Sequence, residues 1–246
     1  MRCIILAGGR GTRLAPLTNR TPKSLLPIAG KPALSYTLKA LPREITSLTI
    51  AVKYLGEQIK HKFGRKIGTV PISYVNLTSL RGTMDALKQC KKYVKGQTLV
   101  LYGDDIYSKE DLEELLSQAK KNTAAWHILV SKCEEAHRFG QVVIKDDRVI
   151  KIEEQDAKKR LPKNEEYVTN TGAYVVDERV FAYKPVKVST GEYGLPQTLV
   201  DARKKIPLIA ILGKKWLPLN TIGDYTRAQE ILAKSFSRNS SRKESE

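Results

Sequence analysis

Short runs of Ile, Val and Leu alternate with longer amphipathic stretches through the first half of the sequence. Alternation of this kind is typical of parallel β-strands joined by crossover helices. The pattern predicts strands at 2–7, 47–53, 71–75, 98–102 and 124–131, and helices at 31–41, 54–63, 82–94 and 108–121. We therefore expect an α/β fold with a doubly wound sheet that carries helices on both faces.

Beyond residue 134 the predicted strands lie closer together. We expect this part to form a small strand-rich subregion folded onto the first, and a tail at 235–246 that is disordered because it has almost nothing to bury. The predicted strands are 141–145, 148–153, 168–176 and 206–212, the predicted helices are 195–204 and 223–236, and 156–166 is a charged connection. One domain at 1–234 then divides into parts at 1–133, 134–222 and 223–234.

Charge and cysteine content restrict the partners and the compartment. The chain has 43 Lys and Arg against 26 Asp and Glu, a net charge of +17, so an anionic partner is expected. Cys3, Cys90 and Cys133 are odd in number and widely spaced, which fits neither a disulfide framework nor paired zinc ligands. No stretch approaches the ~20 apolar residues of a membrane helix. We expect a cytoplasmic protein with no membrane partner.

A glycine-rich segment follows the first predicted strand: residues 6–14 read LAGGRGTRL. It is not a P-loop, which needs Gly-Lys-Ser/Thr, and Leu14 stands where the dinucleotide fingerprint needs a third glycine. Residues 1–43 contain eight Lys or Arg and no acid, the first being Glu44. Glycines allow backbone N–H groups to approach phosphate oxygens, and Arg and Lys neutralise them. This segment predicts a polyphosphate cradle rather than a solvated basic surface.

These residues carry a resemblance to a known family. LAGGRGTRLAPLT at 6–18, PKSLLP at 22–27, GTMDAL at 82–87, GDD at 103–105, NTG at 170–172 and the stretch 216–225 resemble the sugar-1-phosphate nucleotidyltransferases, in family order along nearly the whole chain. The resemblance implies that the fold contains a Rossmann-like mixed sheet and that the protein is a transferase. It implies that a sugar 1-phosphate attacks the α-phosphorus of an NTP, with Mg²⁺ as cofactor, and that an NDP-sugar and pyrophosphate form.

The phosphate nucleophile has a second pKa near 6, so it is largely dianionic at neutral pH and needs no general base. The resemblance then implies roles for individual residues. Arg13 and Lys23 would be catalytic, and Asp104 and Asn220 would hold the metal. A carboxylate such as Asp104, just after a predicted strand of an open sheet, faces the ligand crevice. Nucleotide binding would involve Leu6, Ala7, Gly8, Gly9, Gly11, Thr12, Arg13, Gly82, Thr83 and Asp105, and sugar-phosphate binding Gly140, Glu154, Asn170 and Thr171.

The chain departs from the family pattern at three places. Gln155 stands where family members commonly carry the lysine that binds the sugar phosphate, and Lys151, Lys158 or Lys159 would have to replace it. The segment 76–81 lacks the Gln and Pro typical of thymidylyl and many uridylyl enzymes, so the nucleobase stays open. The second metal carboxylate is replaced by Pro218 or Asn220, depending on register.

Other functions stay open at this point. The pattern at 219–225 is also similar to that of CTP-dependent cytidylyltransferases that act on choline phosphate or inositol phosphate. A nucleotide-binding regulatory homologue without turnover is a second alternative. A nucleic-acid-binding module would explain the charge, but the chain has four Phe, two Trp and no recognised binding motif. We therefore expect an NTP and a sugar 1-phosphate as partners, and the sequence leaves open whether the protein is a homo-oligomer.

Overall fold

The computed structural model describes residues 1–133, 138–153 and 167–243, with side chains through residue 234. The long strands are β1 (Arg2–Ala7), β4 (Ser47–Val52), β6 (Val70–Asn76), β7 (Thr98–Tyr102), β9 (Trp126–Lys132), β10 (Val142–Lys145), β11 (Arg148–Ile152), β12 (Val168–Val176) and β15 (Leu208–Gly213). The short strands are β2 (Pro27–Ile28), β3 (Lys31–Pro32), β5 (Lys66–Ile67), β8 (Asp105–Tyr107), β13 (Val186–Lys187), β14 (Tyr193–Gly194) and β16 (Trp216–Pro218). The helices are α1 (Ala33–Ala40), α2 (Gly56–Phe63), α3 (Thr83–Gln89), α4 (Lys109–Lys121), α5 (Leu195–Asp201) and α6 (Ile222–Lys243).

Ten strands form one mixed sheet in the order β10-β11-β15-β9-β12-β7-β1-β4-β6-β5. Strands β7, β1, β4 and β6 are parallel, and β12 is antiparallel to both β7 and β9. The predicted α/β class and mixed sheet are confirmed. The long strands that follow residue 134, namely β10, β11, β12 and β15, belong to this same sheet, whereas β13, β14 and β16 form short pairs outside it.

Both faces of the sheet are buried. Along β1, Ile4 packs into a cluster with residues of α3 and α5, whereas Cys3 and Ile5 pack into a second cluster with residues of α1, α2 and α4. Because successive strand residues point to opposite faces, a strand covered on both sides must be apolar throughout. This is why the predicted strands appear as unbroken apolar runs in the sequence.

The ends of the helices differ in part from the prediction. Ser108 caps α4 as predicted, its hydroxyl accepting a hydrogen bond from the Asp111 N–H at 3.1 Å. The predicted helix at 82–94 ends at Gln89, and a 3₁₀ turn follows at Lys91–Tyr93. No described helix is both long and apolar enough to cross a bilayer.

The closing helix is longer than predicted. The backbone of α6 continues to Lys243, so it enters the segment 235–246 for which the composition predicts disorder. The predicted helix end at 236 is therefore wrong. No Gly or Pro follows Gly223 in the sequence, so the two residues that most strongly interrupt a helix are absent there.

Candidate active site

A cleft of about 940 Å³ opens at the carboxyl ends of β1 and β7. These strands are adjacent and parallel, with Leu6 opposite Tyr102, so the segments that follow them meet at the same edge of the sheet. Among the residues that the sequence assigns to the site, those that line this cleft are Leu6, Gly8, Gly9, Gly11, Thr12, Arg13, Gly82, Thr83, Asp104, Asp105, Gly140, Asn170 and Asn220. A small adjoining cavity of about 50 Å³ is lined by Ala7 and Lys23.

The glycines after β1 have different surroundings. Gly11 is left-handed, with φ of 64°, and a Cβ there would lie 3.1 Å from the Lys23 Cβ atom. The Thr18 hydroxyl donates to the Gly11 carbonyl at 2.9 Å and holds this turn in place. Gly9 has no atom within 4 Å of an added Cβ, so its backbone lies open to the cleft. Gly11 thus allows the left-handed turn of the loop, and Gly9 leaves open space above the backbone.

The most distinctive feature of the cleft is a lysine held between two oxygen acceptors. The Lys23 ammonium donates to Asp104 Oδ2 at 2.6 Å and to Asn220 Oδ1 at 2.9 Å, although the three residues are far apart in sequence. Lys23 is 8% exposed. The structure thus brings together the predicted catalytic lysine and both predicted metal ligands.

The side-chain oxygen atoms of Asp104 and Asn220 therefore converge on the position that the Lys23 ammonium occupies. The Asp104 side chain stays 37% exposed, so its carboxylate is open to the cleft. The described part of the chain contains no cluster of three or more His, Cys, Asp or Glu that could hold a metal ion. One carboxylate and one amide oxygen fit Mg²⁺ only where phosphate oxygens or waters complete its coordination.

Asp105 lies deeper than Asp104. It begins β8, which pairs with β16 so that Asp105 is opposite Pro218, and its backbone carbonyl accepts the Thr37 hydroxyl at 2.8 Å. Burial raises the pKa of the Asp105 carboxyl well above its usual range, and the neighbouring Asp104 charge raises it further. Its Oδ1 atom has no hydrogen-bond partner in the described structure. Asp105 is therefore more readily protonated than an exposed aspartate.

Arg10 lines the cleft beside Arg13, and the site assignment from sequence omitted it. Its guanidinium lies over the Tyr54 ring, 5.1 Å from the centroid. The Tyr54 hydroxyl donates to the Thr18 and Asn19 carbonyls at 3.1 and 2.9 Å, which ties the connection between β4 and α2 to the chain that follows the glycine-rich segment. The acid-free run of the sequence already contained this signal, since Arg10 lies between two of its glycines.

Gly82 and Thr83 connect the two halves of the cleft. Gly82 has φ of 101°, and a Cβ there would lie 2.5 Å from the Tyr193 carbonyl oxygen. The Tyr193 N–H donates to the Arg81 carbonyl at 2.7 Å, and the Leu195 N–H donates to the Thr83 hydroxyl at 2.9 Å. The β13-β14 hairpin therefore rests on the N-terminal end of α3. The sequence analysis did not predict this hairpin, whose two-residue strands are too short for a periodic signal.

Asn170 and Thr171, both predicted to bind the sugar phosphate, have different surroundings in the structure. Asn170 faces the cleft, and its Oδ1 accepts the Tyr174 hydroxyl at 2.9 Å and the Gly172 N–H at 3.0 Å. Thr171 is buried, and its hydroxyl donates to the Leu129 carbonyl at 2.8 Å. The Thr171 side chain therefore points into the core and does not line the cleft, and a sugar-phosphate contact of Thr171 stays a prediction.

Gly140 lines the cleft with φ of 95°, next to Phe139, whose ring packs against Trp216 at a centroid distance of 5.1 Å. The Arg138 guanidinium donates to Asp224 Oδ1 at 3.0 Å and links this wall to α6. Glu154 and the Gln155 position lie outside the described residues. Further cleft residues that the sequence analysis missed are Glu153, Ser189, Thr190, Glu192, Tyr193 and Gln197.

Comparison with known proteins agrees with this architecture. The family model described as Nucleotidyl transferase matches residues 2–234. The D-glycero-alpha-D-manno-heptose 1-phosphate guanylyltransferase of Campylobacter jejuni is 32% identical over 183 residues. The match covers 74% of this chain and 78% of that protein. The bifunctional protein GlmU of Methanocaldococcus jannaschii is 34% identical over 181 residues, and the match spans only 41% of its length.

Solved structures show the same fold. A putative glucose-1-phosphate thymidylyltransferase from Bacillus anthracis superposes with a TM-score of 0.81 at 26% identity, covering 95% of both chains. A UDP-glucose pyrophosphorylase from Acinetobacter baumanii has a TM-score of 0.80 at 17% identity, which shows the fold alone. The family match extends from β1 into α6. The chain therefore belongs to the nucleotidyl transferase family, as its resemblance to the sugar-1-phosphate nucleotidyltransferases predicts.

Proposed function

We propose that this protein is an Mg²⁺-dependent nucleotidyltransferase that forms an NDP-sugar and pyrophosphate from an NTP and a sugar 1-phosphate. The observation that carries the proposal is the Lys23 ammonium bound to Asp104 and Asn220 beside the glycine-rich segment. Such a transfer needs two mutually repelling phosphates to be aligned and their charge neutralised. The buried lysine supplies a positive charge at a fixed position for this purpose.

The chain's own residues divide this task. Backbone N–H groups around Gly9 and the guanidinium of Arg13 hold the triphosphate, and Lys23 stabilises charge on the α-phosphate as the acceptor oxygen attacks. Asp104 and Asn220 would hold Mg²⁺, which would supply further charge neutralisation of the phosphate oxygens. Asn170 and Gly140 orient the acceptor. An NTP substrate also accords with the cytoplasmic location that the sequence predicts.

The relatives suggest which substrates to test first. The C. jejuni protein is a guanylyltransferase of a heptose 1-phosphate, and the B. anthracis protein is a putative thymidylyltransferase of glucose 1-phosphate. We infer that GTP and dTTP with hexose or heptose 1-phosphates are the leading pairs. CTP with choline phosphate or inositol phosphate is the second candidate, because the sequence pattern at 219–225 is similar to that of the cytidylyltransferases that act on these acceptors.

Pyrophosphate release with each NTP and acceptor tests the proposal. We expect turnover that requires Mg²⁺ and stops in EDTA. Asp104→Ala should abolish it, and Lys23→Ala and Arg13→Ala should each raise the barrier by about 3–4 kcal/mol, as other lost transition-state charge contacts do. Asp201→Ala, an exposed change at the end of α5, is the matched control.

Two results would contradict the proposal. Near wild-type turnover in Lys23→Ala would remove the assigned role of the lysine. Tight NTP binding without pyrophosphate release for any acceptor would favour the regulatory homologue without turnover.

A further inference from the structure

The loop at 77–82, between β6 and α3, packs against the start of the glycine-rich segment. A Cβ at Gly8 would lie 2.7 Å from a Leu77 methyl group and 3.2 Å from a Leu80 methyl group. Leu77, Leu80 and Gly82 all line the cleft. In the proposed function the triphosphate lies along the glycine-rich segment, so the nucleoside meets this loop.

Asp85, on α3, holds the second half of the loop. Its carboxylate accepts the Ser79 hydroxyl at 2.6 Å, the Arg81 guanidinium at 3.1 Å and the Arg81 backbone N–H at 3.4 Å. Asp85 is only 8% exposed. These hydrogen bonds lower the pKa of its carboxyl, although burial opposes them, so the group is ionised at neutral pH.

Gln89, one turn further along α3, holds the first half. Its Oε1 atom accepts the Thr78 N–H at 2.7 Å and the Thr78 hydroxyl at 3.1 Å. Its Nε2 atom donates to the Ser79 hydroxyl and to Asp85 Oδ2, each at 3.1 Å. From the opposite side the Lys53 ammonium donates to the Leu77 and Thr78 carbonyls at 3.1 and 2.5 Å. Four of the six loop residues, Leu77, Thr78, Ser79 and Arg81, are thus held by side chains of Lys53, Asp85 and Gln89.

These hydrogen bonds limit which groups of the loop can contact a nucleobase. The polar side chains of Thr78, Ser79 and Arg81 are engaged by α3, and the loop contains no Asp, Glu, Asn or Gln. The groups left for a base are the Leu77 and Leu80 side chains and those backbone groups of the loop that make none of these bonds, such as the Leu80 N–H and C=O. Backbone hydrogen bonds select a base only where the backbone course is rigidly held, because misplaced groups bind each base equally poorly.

We propose that Asp85 and Gln89 are positioning residues that set the nucleobase selectivity of this protein by holding the backbone of the 77–82 loop. The proposal rests on the proposed function. It assigns selectivity to α3 residues that do not touch the nucleotide, and the loop's own side chains contribute only apolar contact.

The test is kcat/KM for ATP, CTP, GTP, UTP and dTTP in Asp85→Ala and Gln89→Ala, with the acceptor that the wild-type protein uses. We expect the ratio between the best and second-best NTP to fall at least about tenfold in each variant, because a site built around hydrogen bonds discriminates strongly only while they are aligned. The KM for the acceptor should change less than about twofold. Lys88→Ala, an exposed change on the same helix, should keep the wild-type ratio.

Loss of folding is separated from loss of selectivity by melting curves of each variant. Ser79→Ala removes the hydroxyl that bonds both Asp85 and Gln89, at a partly exposed position. It should lower the ratio in the same direction, so it serves if Asp85→Ala does not fold. An unchanged ratio in folded variants, or an equal loss for every NTP, would overturn the proposal.

Failure of the proposed function would give a different experimental result from failure of the selectivity proposal. If the wild-type protein binds NTPs selectively but does not turn over, the melting-temperature shifts with each NTP and Mg²⁺ replace kcat/KM as the measure of selectivity. The proposed function then fails while the role of Asp85 and Gln89 is still decided by those shifts. A wild-type protein that binds no NTP overturns both.

Discussion

Lys23 lies almost entirely out of water, and two oxygen atoms offset the cost of burying its charge. Asp104 supplies the compensating negative charge, and the Asn220 amide supplies a dipole without adding charge. A second carboxylate at position 220 would make this corner more negative. It already holds Asp104 and Asp105, and the pKa of Asp105 is raised. The asparagine therefore limits the negative charge that the site carries before substrate binds.

Replacing Asn220 with Asp tests this account. Mg²⁺ prefers carboxylate oxygen to a neutral amide, so we expect Asn220→Asp to lower the Mg²⁺ concentration for half-maximal turnover several-fold. Asn220→Ala, which removes the oxygen, should raise that concentration. Titration of turnover against Mg²⁺ measures both. Identical Mg²⁺ requirements in the two variants would show that residue 220 does not contact the metal.

Burial of His127, in β9, should make the stability of the folded protein depend on pH. Burial lowers the pKa of its imidazole to about 4. Below pH ~6.5 the unfolded chain takes up a proton that the folded protein refuses until about pH 4. The folded state should therefore lose up to about 3 kcal/mol as pH falls across that range. Urea unfolding at pH 7 and pH 4.5 measures the loss, which should be smaller in His127→Leu. Equal losses in the two proteins would show that folding does not lower the pKa of His127.

At the scale of elements, the site depends on which strands are neighbours. Because β1 and β7 are parallel and adjacent, the glycine-rich segment and Asp104 emerge side by side. The short pair β8–β16 then brings the start of α6 and Asn220 to the same corner. The apolar runs of β1 and β7 are visible in the sequence. Strands of three residues have no usable periodicity, so the pairing that places Asn220 was not predictable from local pattern.

Gly82 is the junction between α3 and the β13-β14 hairpin, and Gly82→Ala tests its importance. The new methyl group would lie 2.5 Å from a backbone oxygen that cannot move alone, at φ of 101°. We expect the hairpin to shift, with turnover falling at least about 100-fold because both the nucleotide and acceptor sides are displaced.

The matched control for this change is Gly96→Ala. Gly96 has φ of 59° and no atom within 4 Å of an added Cβ, so it isolates the conformational cost of alanine from the clash. We expect a small drop in melting temperature and normal turnover. Equal losses in the two variants would show that backbone strain, rather than contact with the hairpin, explains the effect at Gly82.

At the scale of the whole molecule, one sheet joins the parts of the chain that are predicted to bind the nucleotide and the acceptor. Strand β12, which follows residue 133, lies between β7 and β9, which both precede that residue. The chain position 133 is thus not a structural boundary. A fragment of residues 1–133 would leave the edges of β7 and β9 unpaired and expose apolar surface on both sheet faces.

We expect the 1–133 fragment to be insoluble or unfolded and to bind no NTP, because β9 has no partner without β12 and β15. Circular dichroism and NTP melting shifts measure this, with the fragment 1–234 as control, which retains every strand of the sheet. A cooperatively folded 1–133 fragment that binds NTP would show that the nucleotide part is a domain of its own.

The sequence by itself determined the α/β class, the glycine-rich segment and the choice of Lys23 and Asp104, because apolar runs and motif residues are local properties. The tertiary structure alone decided that Thr171 faces the core, since that follows from strand orientation. It also decided that Asn220 rather than Pro218 reaches Lys23, and that Asp85 and Gln89 hold the 77–82 loop. Each of these depends on the distance between residues remote in sequence or on the direction of a side chain, and both become defined only when the sheet assembles.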